Sequence, residues 1–114
     1  MASRGTRVPN PASLPSGYNR LLEQGIVRFE PWELLVGTAL VERLEGLKRR
    51  YPERELLPYA RRTDCDDVAC VEGGGTKVVI VHDFSSSGFE RRGVYPDFWS
   101  WFRAAIDEMI EFDG

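Results

Sequence analysis

The sequence predicts a single α+β domain, in which helices cover a sheet and the longest helix lies near the C-terminus. Two segments carry apolar residues at helical spacing. Val78–Val81 is apolar on both faces, as in a buried strand. Gly73–Gly75 joins two strand-like runs, which is typical of a hairpin turn. A chain of 114 residues is the size of one domain and can bury a core without disulfides or metal.

The N-terminal part divides into a lead-in and the start of the domain. Residues 1–15 contain three prolines and several small residues, so we predict a disordered or extended lead-in, with the folded domain spanning 16–112. Ser16 is the predicted cap of a short helix over Gly17–Gln24. Gly25 is expected to end this helix.

Pro31 is expected to separate two short strands, because proline cannot donate a hydrogen bond to a sheet ladder. Trp32 is predicted to be a buried or half-buried anchor. The first long helix is predicted over Thr38–Tyr51, since one face carries Leu40, Leu44, Leu47 and Tyr51. Gly46 lies within this pattern and is expected to allow a close approach to the sheet. The basic residues Lys48, Arg49 and Arg50 suit the negative end of the helix dipole, although they also fit an anion or a partner.

The middle of the chain carries the clearest strand signals. Strands are predicted over Leu56–Arg61, Val68–Glu72 and Lys77–Asp83, with an acidic turn at Thr63–Asp67. Because Val78–Val81 is apolar throughout, its strand is expected at the centre of the sheet.

The C-terminal third is predicted to hold a loop, an edge strand and the last helix. The loop spans Phe84–Val94, and Val94-Tyr95 forms a brief edge strand. The helix spans Asp97–Phe112 with Asp97 as a cap or first-turn acid. Its apolar surface is wider than one sheet face needs, so it either packs under the N-terminal segment as well or leaves an exposed aromatic patch.

Charge argues against a general nucleic-acid-binding role. The net charge is -3, whereas nucleic-acid-binding domains usually carry a basic excess. Thr63–Glu90 carries six acidic residues and one lysine. These acids are either an ordinary solvated surface or an acidic face that meets a basic partner. The predicted partner-binding residues are Asp64, Asp66, Asp67, Asp83 and Glu90.

Cys65 and Cys70 have neither metal-site nor redox-motif spacing, and we expect free thiols in a reducing compartment. The N-terminus has no apolar segment of the secretory type, and no apolar run approaches the length of a membrane span. The expected location is therefore the cytoplasm.

Four arrangements in the sequence could carry chemistry, and each has a simpler interpretation. His82-Asp83 with Ser85–Ser87 has the residue types of a hydrolytic triad, but neighbours on a strand point to opposite faces. The Gly73–Lys77 run lacks the phosphate-loop pattern, and the acids around Cys65 should raise its thiol pKa. The candidate ligands of a weak cation site are Asp64, Asp66, Asp67, His82 and Asp83. These residues lack the spacing of an EF-hand, so a solvated acidic loop is the preferred interpretation. We therefore predict no catalytic residue, no metal site and no cofactor.

Several segments together carry a resemblance to a known family. They are Glu30-Pro31-Trp32, the helix before Tyr51-Pro52, Pro58-Tyr59-Ala60, Asp66-Asp67-Val68-Ala69-Cys70, KVVIVHDF at Lys77–Phe84, and Phe98-Trp99-Ser100-Trp101-Phe102. Over Ser16–Phe112 the chain resembles the SUKH superfamily, which includes yeast regulators of cell-wall glucan synthesis and many bacterial immunity proteins. Many members have glycine beside aspartate after the Pro-aromatic-Ala step, whereas Asp66-Asp67 here lacks that glycine.

The resemblance implies an α+β fold, in which a central and mainly antiparallel sheet is flanked by helices. It also implies no known catalytic residues, and that bacterial relatives neutralise polymorphic toxins by binding them. The leading hypothesis is an immunity protein that binds a toxin domain, for example a nuclease, through the acidic loop. The alternatives are a regulatory adaptor of the cell-wall type and a small-ligand or metal-binding module. Neither direct nucleic-acid binding nor membrane binding is expected.

Overall fold

The computed structural model describes residues 10–86 and 88–113. The helices are α1 (Ser16–Glu23), α2 (Gly37–Arg50) and α3 (Phe98–Asp113), with a short 3-10 helix at Pro11–Ser13. The strands are β1 (Arg28–Phe29), β2 (Trp32–Leu34), β3 (Leu56–Arg62), β4 (Asp67–Glu72), β5 (Val78–His82) and β6 (Arg91–Tyr95). The predicted α+β class is confirmed.

The six strands form one sheet in chain order, and every neighbouring pair is antiparallel. Each connection is therefore a hairpin or a short excursion, apart from the one that contains α2. The prediction that β5 is central is wrong, because β3 and β4 occupy the middle and β5 lies next to the edge strand β6. β5 is nevertheless buried along Val78–Val81, as its apolar run predicts.

Helices lie on both faces of the sheet, as alternate side chains on β2 and β3 demonstrate. Trp32 and Arg62 pair across these strands and both donate hydrogen bonds to Glu108 of α3. Their neighbours Glu33 and Arg61 also pair, and they line a groove with residues of α2. Because successive strand residues point to opposite faces, α3 covers one face and α2 covers the other.

The N-terminal boundary needs correction. Pro11–Ser13 forms a turn of 3-10 helix and Leu14 is buried, so the predicted lead-in over 1–15 is too long at its C-terminal end. Residues 1–9 lie outside the described residues. Pro15 is the N-cap of α1, and the predicted Ser16 cap is wrong because Ser16 is already the first helical residue. Gly25 follows the helix with φ +73°, as predicted for its terminating residue.

The first long helix was predicted almost to the residue. The apolar face of α2 is buried as expected, at Leu40, Leu44, Leu47 and the following Tyr51. The role predicted for Gly46 is wrong. A Cβ atom at this position would overlap the guanidinium of Arg50, so the glycine makes room for that side chain and not for the sheet.

The last helix is capped as predicted, because the backbone N–H of Ser100 donates to Asp97 Oδ1 at 2.8 Å. Of the two alternatives for its wide apolar surface, packing against the N-terminal segment is confirmed. The Phe98 ring lies so close to α1 that any side chain at Gly17 would overlap it. Trp99, Ile110 and Phe112 are exposed on the same helix.

Aromatic rings make up the core between the sheet and α3. Trp101 is 1% exposed and its ring meets five others in edge-on or tilted contacts, those of Phe29, Trp32, Tyr59, Phe98 and Phe102. Such contacts suit the ring quadrupoles and add to the burial of apolar area. The β1–β2 hairpin, β3 and α3 are therefore joined through one side chain.

Tyr59 lies fully buried in this core, at the irregular point of the β3–β4 pairing. Its hydroxyl has no hydrogen-bond partner among the described residues, and an unpaired buried hydroxyl costs free energy. We expect Tyr59→Phe to raise the free energy of unfolding by about 1 kcal/mol, because it removes that cost and keeps the ring. Urea unfolding measures the change. A loss of stability of similar size would contradict the expectation and reveal a partner for the hydroxyl.

Candidate functional site

Two loops at one end of the sheet lie side by side. The loop 63–66 joins β3 to β4 and the loop 83–90 joins β5 to β6, so both connect strands at the same end of the antiparallel sheet. The backbone N–H of Asp83 donates to the carbonyl of Asp66 at 2.9 Å, which ties the loops together. We call 63–66 and 83–90 the paired loops. They contain four of the five predicted partner-binding residues, and the fifth, Asp67, begins β4 beside them.

The five acids divide by burial into two groups. Asp64 and Asp66 are exposed, whereas Asp67, Asp83 and Glu90 are buried. The carboxylates of Asp83 and Glu90 are enclosed by arginines, so neither can meet a partner directly. Both alternatives for the acids, a solvated surface and an acidic face, require exposure, and of the five predicted partner-binding residues only Asp64 and Asp66 are exposed.

Asp83 is the hub of a buried charge network. Its carboxylate is fully buried and accepts hydrogen bonds from Arg43 Nη1 at 2.8 Å and from Arg50 Nε and Nη2 at 2.6 Å each. It also accepts one from the backbone N–H of Phe84 at 2.8 Å. Burial alone would raise the pKa of Asp83, but the hydrogen bonds from Arg50 and Arg43 outweigh it and lower the pKa. Asp83 thus fixes two guanidinium groups and the start of the loop 83–90.

Glu90 closes the other end of the same loop. Arg54 donates to Glu90 and, through two further nitrogens, to Glu72 on β4. The Glu90 carboxylate also accepts from the backbone N–H of Gly88 at 2.7 Å. Burial opposes ionisation of Glu90, yet the Arg54 hydrogen bond leads the effects that lower its pKa. Both ends of the loop are therefore held by an ionised carboxylate and an arginine.

The remaining acids, Asp64, Asp66 and Asp67, differ in their contacts with basic side chains. Asp64 accepts from Arg62 Nε and Nη2, and this hydrogen bonding lowers the pKa of Asp64. Asp67 Oδ1 lies 2.8 Å from His82 Nδ1 and 3.4 Å from Arg92 Nε. Asp66 makes no ion pair within the described part of the chain, so its exposed carboxylate is the acid most open to a partner.

Sequence reasoning missed the two phenylalanines of the paired loops. Phe84 is 63% exposed and Phe89 is 80% exposed, which makes them the two most exposed large apolar side chains described. Phe84 has φ +67°, a left-handed conformation that costs a non-glycine residue roughly 1–2 kcal/mol. Its ring lies 4.0 Å from the Arg50 guanidinium, in cation–π geometry. The only sequence signal was their position in a run of serine and glycine, where no core face exists to receive them.

A basic groove lies beside Phe84, on the face of the sheet that α2 covers. It is shallow and open, has a volume of about 560 Å³, and is lined by Glu33, Leu35, Ala39, Glu42, Arg43, Arg49, Arg50, Arg61 and Phe84. We call it the arginine groove. The basic residues Lys48, Arg49 and Arg50 lie in the last turn of α2, where they suit the helix dipole, and Arg50 also reaches Asp83 and the groove.

The catalytic and metal-binding arrangements find no geometric support within residues 10–86 and 88–113. His82 contacts Asp67, while Asp83 is engaged by arginines, so the two do not form a dyad. No three His, Cys, Asp or Glu side chains among the described residues are placed to hold a metal ion. Gly73 and Gly74 have positive φ in the β4–β5 hairpin, as predicted.

Cys65 and Cys70 are both free thiols, as expected. Burial is the main cause that raises the pKa of Cys65, and the charges of Asp67 and Asp64 add to it, so the predicted direction is confirmed. The thiol pKa of the buried Cys70 is raised as well, chiefly by desolvation.

Comparisons with protein-family models, with curated proteins and with solved structures gave no match to this chain. The SUKH resemblance, the non-enzymatic role and the cytoplasmic location accordingly stay predictions. Within the described residues, no helix combines the length and the apolar character that a membrane crossing requires.

Proposed function

We propose that this chain is a protein-binding domain of the immunity type, which neutralises a toxin by covering part of it with the paired loops. The observation that carries the proposal is the exposure of Phe84 and Phe89 on loops that also present Asp64 and Asp66. Exposed aromatic side chains ringed by charge are the usual composition of a protein interface. The SUKH resemblance supplies the toxin as the class of partner.

The loop framework supports binding without large rearrangement. Asp83 and Glu90 hold the two ends of the loop 83–90 through buried ion pairs, and Tyr51 Oη donates to the Ser85 carbonyl at 2.8 Å. Loop ends that are fixed in this way lose little conformational entropy when a partner binds. The strained backbone of Phe84 fits the same interpretation, since strain of this kind is retained where a side chain must be presented in one position.

The test is survival of cells that co-express this chain with the product of the neighbouring open reading frame, under conditions in which that product alone kills them. Co-expression of the chain is expected to restore growth, and Phe89→Ser with Asp66→Lys is expected to abolish the protection. Removal of a central aromatic contact typically costs 2 kcal/mol or more, roughly a thirtyfold loss of affinity. The charge reversal should mainly slow association and change its salt dependence.

Trp99→Ser is the matched control. Trp99 is also an exposed aromatic residue, but it borders Gly75 and Thr76 of the β4–β5 hairpin at the opposite end of the sheet. This variant should protect cells as well as the unaltered chain does. Immunity is ruled out if cells die at the same rate with and without the chain, and the paired loops are ruled out if Trp99→Ser alone loses protection.

A further inference from the structure

We propose that the arginine groove binds an acidic, extended segment of a protein partner. Carboxylates of that segment would pair with Arg49 and Arg61, and an apolar side chain would pack on Phe84. The inference rests on the proposed protein-binding function and adds a second contact surface of opposite charge beside the paired loops.

The charge of the groove favours an anion. Four arginines face two glutamates, which leaves the lining with a net charge of +2, and buried Asp83 beneath it reduces this to about +1. Glu33 is already occupied, since it accepts from Arg28 Nη2 at 3.2 Å and from Arg61 Nε at 3.0 Å. A carboxylate that enters the groove therefore meets more donors than competing acids.

Most of these donors are not used within the described residues. A guanidinium has five N–H groups. Arg43 uses only Nη1, Arg61 uses only Nε, and Arg50 keeps Nη1 available. Arg49 is exposed and forms no ion pair within residues 10–86 and 88–113. The groove thus offers several charge-assisted hydrogen bonds without breaking the contacts that hold it together.

Two of the four arginines, Arg43 and Arg50, are also held in place before any ligand arrives. Asp83 clamps Arg43 and Arg50, Phe84 stacks on Arg50, and the missing side chain of Gly46 leaves room for Arg50. Arginine loses little further freedom on binding when its planar group is already fixed. The buried carboxylate thereby acts as a positioning group for two donors.

The mixture of charge and apolar surface selects a peptide over other anions. Phe84, Leu35 and Ala39 form an apolar wall along a groove that is open to solvent. A nucleic acid would need a larger basic excess, and the groove's two glutamates together with the chain's net charge of -3 oppose it. An extended segment with alternating acidic and apolar residues can pair its carboxylates with the arginines and pack its apolar side chains against this wall.

The experiment uses a short acetylated and amidated peptide of alternating glutamate and leucine, titrated into the full chain and followed by the amide signals in NMR spectra. Signals of Arg43, Arg50 and Phe84 are expected to move, and the affinity should fall as salt is added. The double variant Arg49→Ala/Arg61→Ala should bind at least about tenfold more weakly, because the charge-assisted hydrogen bonds of both guanidinium groups are lost. Arg103→Ala, an exposed arginine of α3, should bind as the unaltered chain does.

Three outcomes would overturn the proposal. The first is that a peptide with lysine in place of glutamate binds as tightly as the glutamate peptide. The second is that Arg103→Ala weakens binding as much as the double variant does. The third is that inorganic phosphate moves the same signals and the peptide does not. Failure here is separable from failure of the immunity function. Toxin neutralisation without peptide binding would reject the groove alone, whereas peptide binding without neutralisation would support the groove and reject the toxin as partner.

Discussion

Replacing Trp101 with alanine is expected to lower the free energy of unfolding by about 3–5 kcal/mol, the range for loss of a buried aromatic side chain. Trp101 is 1% exposed and contacts aromatic rings from β1, β2, β3 and its own helix. The cavity would lie where the N-terminal strands meet α3, so the surrounding rings cannot close it without moving whole elements. A loss of this size is a large part of the stability of a domain this small.

Trp99 provides a control on the same helix. It is 43% exposed, and its ring contacts only Phe98 and Phe102 among the aromatic residues described. Trp99→Ala should cost about 1 kcal/mol, since it loses edge-on contacts at the surface and creates no cavity. Urea unfolding of both variants measures the difference. Equal losses would contradict the position of α3 on the sheet.

The contrast between these two tryptophans illustrates what local sequence can and cannot predict. The existence and bounds of α2, α3 and the β4–β5 hairpin follow from short-range patterns, namely helical spacing, a cap at Asp97 and adjacent glycines. The five residues Phe98–Phe102 are apolar or small all round the helix. Spacing alone therefore cannot select Trp101 over Trp99 as the core residue. The choice is made by the position of the sheet, which is a long-range property.

Strand order shows the same limit. The uninterrupted apolar run of β5 indicated burial correctly, because any strand covered on both faces needs apolar side chains in both directions. It did not indicate the place of β5 in the sheet. An uninterrupted apolar run shows that both faces of a strand are covered, but it does not show how many strands lie on either side of it. The apolar run of β5 therefore predicts a central strand, whereas only β6 lies beyond β5.

The candidate site was the part least accessible to sequence reasoning. Acidic residues can be counted in a sequence, but their partners cannot, and Asp83 finds Arg43 and Arg50 at separations of 40 and 33 residues. The count therefore placed Asp83 on an exposed acidic face when it lies beneath a basic groove. Phe84 was overlooked for a related reason, since its exposure depends on a backbone conformation that the carboxylate of Asp83 helps to hold.

Replacing Asp83 with asparagine is expected to lower the free energy of unfolding by about 3 kcal/mol near neutral pH. The amide keeps the size of the side chain, but it leaves the partly buried Arg43 and Arg50 without their counter-charge. Breaking a buried ion pair by removal of one partner typically costs about 3–5 kcal/mol. The lower end is expected because the two arginines are still 17% and 25% exposed and can recover some hydration.

The fall of the free energy of unfolding at acidic pH, which we call the acid limb, gives a second measurement on the same variant. The pKa of Asp83 is lowered in the folded state, so its contribution is fully present above its ordinary value of 3.8 and is lost as the pH falls through the lower folded value. The unaltered chain should therefore lose stability steeply below about pH 4. Asp83→Asn has no such group to protonate, and its stability should fall less over the same range.

Asp107→Asn separates this effect from a general loss of negative charge. Asp107 is exposed on α3, and the variant carries the same change in net charge. It should keep both the stability near neutral pH and the steep acid limb of the unaltered chain. Glu72, Glu90 and Asp64 also have lowered pKa values, so some acid dependence will persist in Asp83→Asn. An acid limb as steep as that of the unaltered chain would show that Asp83 is not ionised beneath the arginines, and the groove would then lack the charge that holds its donors in place.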